Sequence, residues 1–235
     1  MIKILLIGPL HVPLWIAGLL GLLRRADLRP FRAFAVAYLV LLVLFLLTGG
    51  KPYYVAGWLP LLFAAGAQPL IDAVRPRWIA AVLALSTPVF IFSLPVLPVA
   101  QAGIAVAVNP DAGETIGWPE FTGQAVEALQ ELPPGTPVVT QNYGEAGALA
   151  RFGPAQLRVY SGHNAYATWG QPPGRAPVLL VGFDDPLVRE VCGTTSAELG
   201  VISSPYDIDN EENGTLLRQC TPTREWAQLW PLLRR

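Results

Sequence analysis

The chain has 235 residues, of which 52% are hydrophobic and only 14% charged, and its mean hydropathy of +0.42 is too high for an ordinary soluble domain. Charge divides it. Through Ala100 there are eight basic and two acidic residues, a net of +6, whereas the remainder holds eight basic and fifteen acidic residues, a net of −7. A basic, apolar half and an acidic, polar half describe a membrane region over residues 1–100 followed by a water-soluble domain over residues 101–235. The acidic half excludes nucleic acid as a partner, because phosphate backbones select clustered Lys and Arg.

The first apolar run extends from Ile2 to Leu23 and stops at Arg24-Arg25. It is long enough to cross a bilayer core, which takes about 20 residues. A signal peptide would place its basic residues before the run rather than after it. The second run, Phe34 to Thr48, carries no charge and ends at Gly49-Gly50. A third, Tyr53 to Val74, has Asp72 only at its far end. The fourth, Trp78 to Ala100, is interrupted by Pro88, Pro95 and Pro98, which kink or end a helix. The expected fold class is therefore four transmembrane helices followed by a small α/β domain.

Arginine placement sets the orientation. Four arginines lie between Arg24 and Arg32 and two more between Arg75 and Arg77, while the alternate boundaries hold only Lys3 and Lys51. The positive-inside rule puts the arginine loops in the cytoplasm. With four spans, the Lys51 loop and everything after Ala100 lie outside, in the periplasm or at the cell surface of a bacterium. That loop, GGKPYYVAGWLP from Gly49 to Pro60, sets Lys51 beside Tyr53 and Tyr54 where one helix leaves lipid and the next enters it. A cation flanked by amphipathic rings at that depth suits an anionic lipid phosphate. The same residues also suit a snorkelling lysine within an ordinary aromatic belt.

In the acidic half, Trp118 to Leu132 places Phe121, Ala125, Ala128, Leu129 and Leu132 at helical spacing, and Pro133-Pro134-Gly135 stops it. Pro137–Thr140, Leu157–Tyr160 and Val178–Phe183 read as buried strands, and Val201–Ser203 and Leu216–Cys220 as weaker ones. Tyr143–Phe152 and Arg224–Leu233 read as helices. Alternation of this kind favours a small sheet with helices packed on it. Cys192 and Cys220 both fall in this half, where an oxidising compartment permits a disulfide between them; two separate buried thiols are the alternative.

No phosphate-cradling glycine loop, metal-spaced His/Cys cluster or nucleophile elbow occurs in the sequence. No catalytic residue, metal site or cofactor is assigned from it. Asp184-Asp185, adjacent acids before Pro186, read as a turn cap. Two polar clusters follow successive expected strands. One contains Asn142, Tyr143 and Glu145, and the other His163, Asn164 and Trp169. Ligands sit at the carboxyl ends of strands in α/β sheets, and aromatics with Asn, His and Glu hold sugars or polar headgroups. The structural alternative is helix capping by Asn142 and a satisfied turn histidine.

The set GGKPYYVAGWLPLLFAAGA, NPDAGETIGWPEF, QNYGEAGALARFG and YSGHNAYATWG resembles the C-terminal portion of bacterial membrane glycosyltransferases of the GT-C type, in the branch of protein O-mannosyltransferases and aminoarabinose transferases. The resemblance implies an inverting transferase of the bacterial inner membrane that moves a sugar from a polyprenyl-phosphate carrier to an external acceptor. It also implies that Lys51, Tyr53 and Tyr54 approach the lipid phosphate. Family members carry their proposed catalytic acid in an early external loop, and no acid occurs in the external loop here. The expectation is thus a truncated or split form, inactive alone, with a separate chain supplying the N-terminal helices. Its partners would be the polyprenyl-phosphate-linked sugar and membrane lipids. The rival expectation is a membrane-anchored external domain that binds a glycan, headgroup or protein without catalysis.

Overall fold

A computed structural model describes residues 11–50, 52–86, 92, 94, 96–206, 208 and 210–234. The chain forms two compact units, Met1–Ala112 and Gly113–Arg235. The first is helical. Helix α1 (Val12–Arg24) opens with proline in its first turn and closes on Arg24, a cation at the negative end of the helix dipole. Helix α2 (Arg32–Leu47) is apolar all round, and α3 (Leu59–Ala73) follows the tight 3₁₀ segment Pro52–Trp58. Two stretches, Arg29–Leu47 and Tyr54–Asp72, are long and apolar enough to cross a membrane, and only 11% and 22% of their residues are buried within the protein.

The other two expected spans are shorter among the described residues. Of Ile2–Leu23, the described helix starts at Val12. Trp78–Ala100 is not one helix: α4 is described over Pro76–Ser86, and the chain around Val96–Pro98 is irregular. Proline at 98 removes a donor and locks φ, which accounts for the break there. A further helix, α5 (Ala102–Val108), belongs to the first unit; Asn109 closes it by donating its backbone N–H to the Ala105 carbonyl, and its side-chain N–H donates to the Phe92 carbonyl at 2.9 Å. The unit boundary consequently falls at Ala112 rather than Ala100.

Helices α1 and α3 meet backbone to backbone. A Cβ on Gly18 would lie 1.8 Å from the Leu62 carbonyl oxygen, and one on Gly66 would lie 2.1 Å from that of Leu14. Around this contact pack Leu22, Ala35, Tyr38, Val55 and Leu62. Small residues that let helices touch are how apolar helices associate where lipid supplies no hydrophobic drive.

The second unit is a three-layer α/β structure. Helix α6 (Trp118–Leu129) buries Phe121, Ala125 and Ala128 as the spacing predicts. It leads to β1 (Val138–Thr140), α7 (Tyr143–Phe152), β2 (Val159–Ser161) and β3 (Val178–Val181). Then come α8 (Asp185–Cys192), β4 (Ser196–Val201), β5 (Leu216–Cys220) and α9 (Trp226–Leu233). The sheet order is β2-β1-β3-β5-β4. Strand β1 is parallel to both β2 and β3, while β5 runs antiparallel to β3 and to β4. Alternate residues of β3 face opposite layers: Val178 and Leu180 join Trp226, Leu229 and Trp230 on one side, and Leu179 and Val181 join Phe121, Ala125 and Leu149 on the other. Cys192 and Cys220 are bonded, with Cα atoms 5.5 Å apart, inside the first of these cores.

The sequence reading placed the fourth strand at Val201–Ser203, whereas β4 precedes it, at Ser196–Val201. None of its six residues is buried, and a register shift falls between Glu198 and Gly200, so no apolar run marks it. Helix α8 was read only as the turn at Asp184-Asp185.

Two stability outcomes follow. Gly18→Val should force α1 and α3 apart and destabilise the first unit by about 1–3 kcal/mol or more. Gly103→Ala, where nothing lies within 4 Å of an added Cβ, should be neutral or stabilising; thermal unfolding in detergent distinguishes them. Reducing the disulfide, which closes a 28-residue separation, should cost the second unit roughly 3–4 kcal/mol in the chain-entropy model, read as a fall in unfolding midpoint with reductant.

Candidate functional site

The order β2-β1-β3 means that the chain leaves β1 toward one side to form β2 and returns past it to form β3. The connections after β1 and β3 therefore diverge, and a crevice opens at their carboxyl ends, where parallel sheets place ligands. A polar cleft of about 340 Å³ lies there, with Gln141, Glu145, Gly182, Asp184, Glu211 and Glu212 among its walls.

Asn142 and Glu145 build the cleft but are occupied structurally. Asn142 is the N-cap of α7: its Oδ1 accepts from the Gly144 N–H at 2.9 Å, and Glu145 Oε2 accepts from the Asn142 N–H at 2.8 Å. This reciprocal capping box satisfies helix donors that otherwise have no partner. Glu145 is 95% buried by this arrangement, its residual exposure being 5%. Gly182, with φ of +81°, has no space for a side chain because a Cβ would stand 2.7 Å from Glu145 Oε1.

The remaining nominated residues follow β1 and β2, whose carboxyl ends lie on the same edge of the sheet. The Tyr143 and His163 rings meet edge to face with centroids 5.0 Å apart, so the clusters following β1 and β2 are joined. His163 Nδ1 is buried with no hydrogen-bond partner among the described residues. Asn164 adopts φ of +53°, left-handed backbone that Asn tolerates better than most residues, and opens the 3₁₀ turn Asn164–Thr168. Tyr166 of this turn and Trp169 just after it meet with ring centroids 4.4 Å apart and planes tilted by 44°. Trp230 fixes the turn from below by donating its indole N–H to the Ala167 carbonyl at 3.1 Å.

Sequence reasoning missed the acidic wall. The segment between β4 and β5 is tied to residues 114–120. The Glu211 N–H donates to the Glu114 carboxylate at 3.2 Å, Asn210 Nδ2 to the Ile116 carbonyl at 3.2 Å, and Tyr206 Oη to Glu120 Oε1 at 2.6 Å. Burial, followed by the charge of and a hydrogen bond with Glu114 and the charge of Glu211, raises the Glu212 carboxyl to about 7. In the sequence, NEENG looks like a solvated turn, and no spacing signals the fold that brings Glu114 to it. Asn213, a formal glycosylation acceptor, has both ends of its amide engaged, by the Ser204 N–H and the Ile208 carbonyl. Asp184 occupies the N-cap position of α8 but its side chain makes no capping bond, while Asp185 pairs with Arg218.

In the first unit, Lys51 lies outside the described residues. Tyr53 and Tyr54 fall in the 3₁₀ segment Pro52–Trp58, and the half-exposed Tyr54 packs edge-on against Phe45 at 5.2 Å. Among the described residues, no group of three or more His, Cys, Asp or Glu is placed to hold a metal ion. Comparison with known proteins found no matching family model, no matching curated protein and no matching solved structure.

The raised Glu212 carboxyl sets a pH dependence. The unfolded chain ionises this group near its ordinary value of 4.5 and the folded one near 7, so its contribution is present below 4.5 and is lost as pH rises through 7. The unfolding midpoint of the second unit should accordingly fall between pH 4.5 and 7, and Glu212→Gln should flatten that slope in a pH series of thermal scans.

Proposed function

We propose that this chain is the C-terminal part of an integral-membrane glycosyltransferase that moves a sugar from a polyprenyl-phosphate carrier to an acceptor outside a bacterial inner membrane. In this reading residues 1–100 cross the membrane four times and the α/β unit lies in the periplasm. The observation that carries it is the polarity of the helical unit. Arg24, Arg25, Arg29 and Arg32 flank the turn from α1 to α2, and Arg75 and Arg77 follow α3. The opposite ends of α2 and α3 are joined by an aromatic segment carrying Tyr54 and Trp58. Basic residues at one end and aromatic ones at the other are what a polytopic anchor presents to cytoplasm and interface.

The chemistry assigned to the assembly follows from charge. The bond between the sugar's anomeric carbon and the carrier phosphate breaks, a bond from that carbon to the acceptor oxygen forms, and the carrier departs as a phosphate anion. Lys51, placed by sequence between Gly50 and Pro52, is the cation that would stabilise the charge growing on the phosphate. The acceptor proton passes to a carboxylate, which this reading assigns to helices outside residues 1–235.

A second reading, an anchored external binding domain without chemistry, is favoured by the capping box, which commits Asn142 and Glu145 to holding α7. Transfer from a radiolabelled polyprenyl-phosphate sugar in membranes separates the two. Activity is expected in membranes that also contain the remaining helices of the assembly, absent from membranes containing residues 1–235 alone, and lost with Lys51→Ala at equal expression. Failure of every combination would favour the binding domain.

A further inference from the structure

The tryptophans of the second unit differ widely in exposure, with Trp118 partly buried. Trp226 and Trp230 are 0% and 1% exposed in the core, whereas Trp169 is 70% exposed. Tyr143, on the same edge, is 50% exposed. Large aromatic surface left in water within a closely packed domain marks a binding surface more often than an accident of packing. The backbone beneath Trp169 is also fixed. Trp230 holds the Ala167 carbonyl, the Thr168 hydroxyl donates to the Ala165 carbonyl at 2.7 Å, and Asn164 is kept in left-handed backbone. Such pre-organisation lowers the ordering cost that a ligand would otherwise meet.

We infer that the carboxyl edge of the sheet is a saccharide-binding platform, on which Trp169, with Tyr166 beside it, takes the apolar face of a sugar ring and the polar cleft at the same edge takes hydroxyl groups. A pyranose has one face of C–H groups, which suits the negative face of an aromatic ring, and a rim of hydroxyls that carboxylates accept from strongly. Both kinds of surface follow parallel strands whose carboxyl ends share one edge: the Tyr143–His163 and Tyr166–Trp169 pairs follow β1 and β2, and Asp184 and Glu212 line the cleft after β3. The cleft volume of about 340 Å³ falls in the range of small-molecule sites, about 300–1,000 Å³.

The carboxylates also decide against a lipid surface as the occupant. Exposed Trp and Tyr can settle into headgroups, but membrane-surface segments surround such rings with Lys and Arg. The cleft at this edge of the sheet is lined instead by Glu211, Glu212 and Asp184, in a half of the chain with a net charge of −7. An anionic bilayer would be repelled, whereas a neutral glycan would not.

Binding needs no carrier or transfer, so the test is independent of the transferase proposal. The full chain in nanodiscs is titrated against fluorophore-labelled maltotriose, mannotriose, galactotriose and chitotriose, with polarisation as readout. At least one trisaccharide should bind, and Trp169→Ala should weaken it tenfold or more, with Tyr166→Ala weakening it as well. Phe152→Ala, which alters an exposed ring at the other end of α7, should leave binding unchanged. Near-ultraviolet circular dichroism confirms that the variants fold. The inference is overturned if no trisaccharide binds, if Trp169→Ala leaves binding intact, or if Trp169→Ala instead lowers retention on phosphatidylglycerol vesicles or capture of a protein partner.

Discussion

The buried carboxylate of Glu145 is the point on which the carboxyl edge of the α/β unit depends. Removing a charge from water is costly unless hydrogen bonds and a favourable field replace the solvent. Glu145 meets both conditions: it accepts from the Asn142 N–H and sits in the first turn of α7, at the positive end of the helix dipole. Its second oxygen stands against Gly182, the residue that follows β3. One side chain thereby fixes where α7 begins, how closely the β1 and β3 connections approach, and where the cleft starts. A Cβ at position 182 would stand 2.7 Å from Oε1, so the carboxylate would have to shift, and the positive φ of Gly182 would strain the new residue as well.

A different constraint governs the helical unit. Its helices are apolar on the outside as well as the inside, with Leu46 and Leu47 among the most exposed residues of α2, so removal of apolar surface from water cannot select one packing. Contact shape must do so instead. Gly18 and Gly66 supply it, since only their missing side chains let α1 and α3 come within carbonyl contact. His11 against Phe63 at one end, and Arg25 within the field of Asp72 at the other, give the pair a direction.

Much of this was legible in the sequence wherever burial imposes a period. Strand β5 coincides with the expected Leu216–Cys220, and β1, β2 and β3 fall within one or two residues of their apolar runs, because strands covered on both faces are continuous in Val and Leu. Strand β4 was displaced because an edge strand with exposed Glu198 needs no apolar pattern. The candidate site divides in the same way. Asn142 and Glu145 stood out as a polar cluster after a strand, and the structure gives them the capping role that their three-residue spacing also allowed. The Tyr143–His163 contact was not legible, since it depends on β1 and β2 lying side by side. Neither was the pairing of Glu114 with Glu212, which are 98 positions apart by their numbers.

That pairing shows how the cleft differs from the rest of its domain. The sheet faces are held by interlocked apolar side chains, but the wall contributed by the segment between β4 and β5 is held largely by polar contacts: Tyr206 to Glu120, Asn210 to Ile116, Glu211 to Glu114, and Asn213 across its own turn. Each is worth only about 0.5–1.5 kcal/mol net, and they draw on the same few carboxylates. Below neutrality a shared proton between Glu114 and Glu212 makes the wall cohesive. Above it, two like charges face each other where burial already opposes ionisation. Among the described residues of the core beneath, no comparable pair of carboxyls is buried together, so the cost of ionisation falls on this wall. A ligand hydroxyl that donates to one of these carboxylates would offset part of the repulsion, which couples occupancy of the cleft to closure of its wall.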